Sequence, residues 1–142
     1  MTDPDQLARA AADAMWAGDA ASQALGMRIE SVGPGTASLS MRVREDMING
    51  WDLCHGGLIA SLADSAFAFA CNSRGTVTVA SGFDVTFLES ARLGDELVAV
   101  AVERSVRGRS GLYDVTVTRT SDDTVIAEFR GRSRSIGTPI PG

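Results

Sequence analysis

The chain has 142 residues, with 13 Lys plus Arg set against 18 Asp plus Glu for a formal net charge of −5; it contains one histidine and no lysine at all. That length fits one domain around one core, and the negative balance argues against nucleic acid or a membrane surface as partner, since both are held chiefly by positive charge. One histidine, two cysteines and no CxxC or HExxH spacing leave too few nitrogen and sulfur ligands for an ordinary zinc site, so no metal is expected.

Residues 1–24 read as an N-terminal helical segment, with Leu7, Ala11 and Met15 at helical spacing behind Asp3 or Asp5 as cap. The first twenty residues lack the basic start and apolar stretch of a signal peptide, and no apolar run reaches the ~18 residues that span a bilayer. With Cys54 and Cys71 forming no disulfide framework, a cytoplasmic protein with reduced thiols is expected. Residues 27–32 and 37–43 read as two strands joined by Gly33-Pro34-Gly35-Thr36. Residues 55–72 break the alternation and are long enough for about five helical turns. Apart from Cys71, Asp64 is the one ionisable side chain between Gly56 and Ser73, and apolar and small residues occupy every face, the pattern of a buried helix. Alternation returns over 77–88, 96–106, 112–120 and 125–136, interrupted by turn residues at 92–95, 107–111 and 121–124, which predicts three consecutive antiparallel pairings. Residues 137–142 read as a flexible tail. The element order predicts an α+β domain over 1–142, a curved antiparallel sheet wrapped around a long central helix, with edge strands that a dimer would cover.

Asp64 is the residue most at odds with its surroundings. A carboxylate in an apolar helix costs several kcal/mol of desolvation unless it is paired, hydrogen-bonded or raised in pKa, and no cation lies within a turn of it in the sequence. Either it caps another element or meets an arginine across an interface, or it is a catalytic carboxylate. Just upstream, in Asn49-Gly50-Trp51-Asp52-Leu53-Cys54-His55-Gly56-Gly57, the glycine pair presents bare amides at the positive end of a helix. That is a cradle for an oxyanion, or simply a tight turn into a close-packed helix. Eight residues of helix place Gly56 and Asp64 about 12 Å apart along the axis, too far for both to reach one carbonyl within a chain. If both act on it, antiparallel central helices of two chains must bring them together. Arg107-Gly108-Arg109-Ser110-Gly111 can hold phosphate through guanidiniums and backbone donors, or can be a solvated hairpin tip. Arg130, Arg132 and Arg134 share one strand face, where acids on a neighbouring strand would account for them. Trp16, Met47, Trp51 and Phe67 fit either an acyl pocket or the core.

Asn49-Gly50, Cys54-His55-Gly56-Gly57, Leu62-Ala63-Asp64, Ala66-Phe67-Ala68 and Ala70-Cys71-Asn72, followed by Gly111-Leu112-Tyr113-Asp114 and Phe129-Arg130-Gly131, resemble the PaaI-like hotdog-fold acyl-CoA thioesterases of phenylacetate degradation, from about residue 25 to residue 136. The resemblance implies hydrolysis of aryl-acyl (phenylacetyl or hydroxyphenylacetyl) or medium-chain acyl-CoA to free acid and CoA. It assigns Asp64 as nucleophile or general base, the Gly56 amide as oxyanion donor with Gly57 in support, and His55 and Asn49 as residues that position the carbonyl or the water. It makes Arg107, Arg109, Ser110 and Gly111 the candidates for binding coenzyme A, adds no cofactor beyond the CoA of the substrate, and implies a homodimer with shared sites, paired into a homotetramer. Two other functions compete: a hydratase or dehydratase using His55 and Asp64 as acid and base, and a non-catalytic acyl-CoA-binding module.

Overall fold

The computed structural model describes residues 3–141; Met1 and Thr2 of the expected helical segment, and Gly142 of the expected tail, lie outside the described residues. Asp3 starts α1 (Pro4–Gly18) by accepting hydrogen bonds from the amides of Asp5 and Gln6 at 3.1 and 3.2 Å, and Pro4 sits in the first turn, where its missing donor costs nothing. Ala8, Ala11 and Ala12 form the buried side of this helix. A further short helix, α2 (Ala20–Ala24), restarts the chain at Asp19; it is too short to leave a periodicity in the sequence.

β1 (Arg28–Gly33) and β2 (Thr36–Arg42) make a hairpin whose turn places Gly35 at φ +72°, a conformation in which a Cβ would be strained. A 3-10 turn (Glu45–Met47) and an irregular loop lead into α3 (Gly56–Cys71), and β3 (Thr76–Phe87), β4 (Glu96–Arg107), β5 (Ser110–Arg119) and β6 (Thr124–Pro139) complete the chain. The six strands form one antiparallel sheet in the order β1-β2-β4-β5-β6-β3.

Two expectations are corrected here. The pairings of β4 with β5 and β5 with β6 follow chain order, but β3 pairs with β6 instead of β4. Segment 88–95 is the cause: it is a connection tied across the end of the sheet, not a hairpin turn. Leu88 N–H donates to Ile126 O at 2.8 Å, Cys54 N–H to Ala91 O at 2.8 Å and Val43 N–H to Asp95 O at 2.9 Å, and Ala91 is fully buried, so β4 is delivered beside β2. Residues 137–141, expected to fray, also stay attached. β6 runs to Pro139 opposite Thr76, and Ile140 N–H donates to Gly75 O at 2.8 Å, because β3 begins just after Gly75 and offers the tail free backbone partners.

The sheet curves around α3, whose Ile59, Leu62, Ala63, Ala66, Phe67 and Ala70 are buried against it. Phe67 is the centre of this core: its ring lies 5.6 Å from Tyr113 and 5.9 Å from Phe129, and a Cβ on Gly131 would come within 2.8 Å of it. α3 is not buried on every side, however. Gly57, Ser61, Asp64 and Ala68 share one face; Gly57 is exposed and the other three are half-buried. β3, the free edge beyond β6, leaves Val79, Phe83 and Phe87 exposed.

Candidate active site

Asp64 occupies the uncovered face of α3, on the side away from the sheet. Burial raises its carboxyl above the ordinary value, and the charge of Asp19 raises it further; no cation or hydrogen-bond donor among the described residues offsets this. Among the described residues no arginine pairs with it. An ionisable group strained in this way is poised to take a proton.

The loop before α3 is held by Asn49. Its side-chain oxygen accepts from Trp51 N–H at 2.8 Å and Leu53 N–H at 3.2 Å, and its own amide donates to Leu53 O at 2.8 Å. These bonds fold the chain tightly enough that Asp52 takes a left-handed φ of 61° and Trp51 stands 84% exposed. With Oδ1 committed to the loop, Nδ2 is the donor that the Asn49 side chain has left. His55 is the N-cap residue of α3, but its imidazole makes no cap hydrogen bond and is exposed; its backbone N–H donates to Met47 O at 2.9 Å.

Gly56 and Gly57 open α3, so their amides belong to the first turn and have no intrahelical acceptor. Close packing requires a glycine at Gly56: a Cβ there would lie 2.9 Å from the ring of Phe87, whereas one on Gly57 would meet nothing within 4 Å. Phe87 roofs the helix start from the end of β3, and its place was not legible in the sequence because the strand crossover that brings it there is long-range.

Arg109, Ser110 and Gly111 line a cavity of about 170 Å³ at the far end of α3, together with Cys71, Arg74 and Tyr113; Arg107, exposed at the end of β4, is not part of it. Its base is a closed polar cluster: the Tyr113 hydroxyl donates to Glu103 at 3.2 Å, and Arg74 pairs with the same carboxylate at 3.0 Å. Burial pushes the Tyr113 hydroxyl well up, and the Cys71 thiol up to about 12, so both stay protonated at neutral pH. Arg130 is bound by Asp114, whose carboxyl is held down at about 2 by hydrogen bonds from Arg130 and Arg104. Arg132 pairs with Asp84, and Arg134 donates to Ser110 Oγ at 3.4 Å. The arginine row is accordingly a set of cross-strand contacts. Met47 and Phe67 belong to the core, and Trp16 packs on Phe69 with ring centroids 6.2 Å apart. Among the described residues no three His, Cys, Asp or Glu side chains converge on a metal position.

A six-stranded antiparallel sheet with a long central helix packed on it is the architecture of the hotdog fold, and the chain belongs to the thioesterase superfamily, whose family model matches residues 52–126. It is an enzyme of the thioester-hydrolysing class. Over 131 residues it is 44% identical to the acyl-coenzyme A thioesterase PaaI of Escherichia coli, spanning 92% of this chain and 93% of that protein. A solved structure of the E. coli PaaI protein from the phenylacetic acid degradation operon superposes with a TM-score of 0.95 at 40% identity, covering 98% of this chain and all of that one. A putative esterase of Archaeoglobus fulgidus is 32% identical over 96% of this chain and 88% of its own length.

Proposed function

We propose that the protein hydrolyses acyl-CoA thioesters, with aryl-acyl groups such as phenylacetyl or hydroxyphenylacetyl, or medium-chain acyl groups, as substrates. The observation that carries this reading is Asp64: a carboxyl raised by burial and by a second acid, on the open face of a helix whose first amides, at Gly56 and Gly57, are free to bind an oxyanion. The E. coli relative, whose name states acyl-CoA thioesterase activity, supports the same substrate class.

In the proposed reaction Asp64 either takes a proton from water, whose oxygen then bonds to the thioester carbon, or itself attacks that carbon to give an anhydride that water cleaves. In both routes the negative charge that develops on the carbonyl oxygen falls to the Gly56 N–H, with Gly57 in support. In the first route the C–S bond then breaks and the proton held by Asp64 passes to the CoA thiolate. In the second the C–S bond breaks as the anhydride forms, the thiolate takes a proton from solvent, and water then cleaves the anhydride to the free acid and Asp64. Asn49, through Nδ2, and His55 position the carbonyl or the water.

Asp64 and Gly56 of one chain stand about 12 Å apart along α3, so each site is proposed to combine Asp64 of one protomer with Gly56 of another. The apolar free edge of β3 and the uncovered strip of α3 are the surfaces such a dimer would bury; pairing of dimers would give the homotetramer. In antiparallel helices the C-terminal end of one α3 lies near the N-terminal end of the other, which brings Arg109, Ser110 and Gly111, with Arg107 beside them, toward the site as ligands for CoA phosphates.

The test is thiol release from a panel of aryl-acyl and straight-chain acyl-CoA substrates, run beside Asp64→Asn. Wild-type turnover with loss in the variant supports the assignment; full activity of Asp64→Asn would overturn it. A change in enoyl absorbance without thiol release would favour a hydratase instead.

A further inference from the structure

The junction of α1 and α2 reaches α3 at Ser65, the residue next to Asp64 and beside the uncovered face. Asp19 closes α1 through its backbone N–H, which donates to Trp16 O, and opens α2 through its side chain, which accepts from Ser22 N–H at 3.0 Å and from Ser22 Oγ at 2.7 Å. Ser22 Oγ in turn lies 2.8 Å from Ser65 Oγ on α3, and Ser22 is only 2% exposed. An ionised carboxylate can only accept, so the Ser22 hydroxyl proton points to Asp19 and Ser65 must donate to Ser22. The result is a one-way chain, Ser65 to Ser22 to Asp19, which fixes an acid of the N-terminal segment beside α3 at the residue adjoining Asp64.

We propose that Asp19 is a positioning residue for the hydrolysis: its carboxylate, held by the Ser22–Ser65 chain next to Asp64, makes the N-terminal segment, and not α3 alone, set how strongly Asp64 draws the proton of the attacking water. This rests on the reading of Asp64 as the acting carboxylate, by its general-base route. The charge of Asp19 disfavours the ionised form of Asp64, and a more basic carboxylate is the better proton acceptor. Among the described residues, the charge that acts on Asp64 is that of Asp19. Cys71, two turns along α3, is coupled to Asp64 but is a neutral thiol, and the strands beneath α3 meet its opposite, apolar side. The proton taken from water passes from Asp64 to the leaving sulfur, which regenerates the carboxylate; Asp19 takes no part in the transfer.

The test is the pH profile of kcat/KM for thiol release by the full-length protein. Asp19→Asn keeps an oxygen to cap α2, since Asn caps as well as Asp, and removes the charge. Its acidic limb is expected to move to lower pH, with a several-fold fall in kcat/KM at neutral pH, and Asp19→Glu is expected to restore the wild-type profile. Ser22→Ala, which unties the acid without touching its charge, should give a smaller shift of the same sign, and serves if Asp19→Asn does not fold. An unmoved acidic limb in a folded Asp19→Asn or Ser22→Ala overturns the proposal. If Asp64→Asn keeps its activity in the same assay, it is the reading of Asp64 that fails.

Discussion

Asp64 and Gly56 carry opposite kinds of constraint, and each gives a prediction. The folded state raises the Asp64 carboxyl, so the ionised form costs stability. That cost is absent below the unfolded pKa and is incurred as pH rises through the folded one. Asp64→Asn is therefore expected to melt at a higher temperature than wild type at neutral pH, with the gap closing as pH falls, while kcat/KM for thiol release drops by roughly 10²–10⁴. Scanning calorimetry at two pH values beside the activity assay checks both signs together. Gly56→Ala would drive a methyl to within 2.9 Å of the Phe87 ring. Overpacking of this kind costs about 1–3 kcal/mol, and Phe87→Leu in the same chain should return much of the lost stability in chemical denaturation. The chemical character of Asp64 and Gly56 was legible in the sequence, because a lone acid in an apolar helix and a glycine pair at a helix start are local signals. Phe87 and Asp19 were not, since neither carries a local mark of its proximity to α3.

Among the elements, the β4–β5 hairpin and the end of β6 separate binding from folding. If Arg107 and Arg109 meet CoA phosphates, replacing either with Ala should raise KM several-fold, leave kcat nearly unchanged and weaken the dependence of kcat/KM on salt. A matched fall in kcat would count against that role. The end of β6 is structural. Truncation after Ile136 removes the pairing of Pro139 with Thr76 and the Ile140 hydrogen bond to Gly75, and should lower the melting temperature and speed proteolysis at the start of β3. Helix α3 and all six strands were readable from periodicity to within a few residues; the short α2 and the 3-10 turn were not, being shorter than any period.

For the whole molecule the central question is whether a site is completed by a second chain, and a subunit-mixing experiment answers it. Asp64→Asn and Gly56→Val variants, each inactive alone, are expected to recover about a quarter of wild-type activity after statistical exchange, since half of the dimers would then hold one intact composite site. No recovery, with exchange shown by native mass spectrometry, would mean that Asp64 of one chain does not share a site with Gly56 of another. Phe83→Arg on the free β3 edge should likewise yield smaller species in light scattering, with loss of turnover. The sequence by itself determined the residue chemistry and the local elements: no lysine, a single imidazole at the helix start, an isolated carboxyl, and strand and helix periods. Tertiary structure alone decided that β3 crosses to the far side of β6, that the tail is paired, that one strip of α3 stays uncovered, and that Asp19 is tied through Ser22 to Ser65 on α3. The physical reason is range: a hydrogen bond or an ionisable group between neighbours leaves a pattern in the chain, whereas pairings between segments tens of residues apart are chosen by which arrangement buries the apolar face of α3 and satisfies the backbone of 88–95.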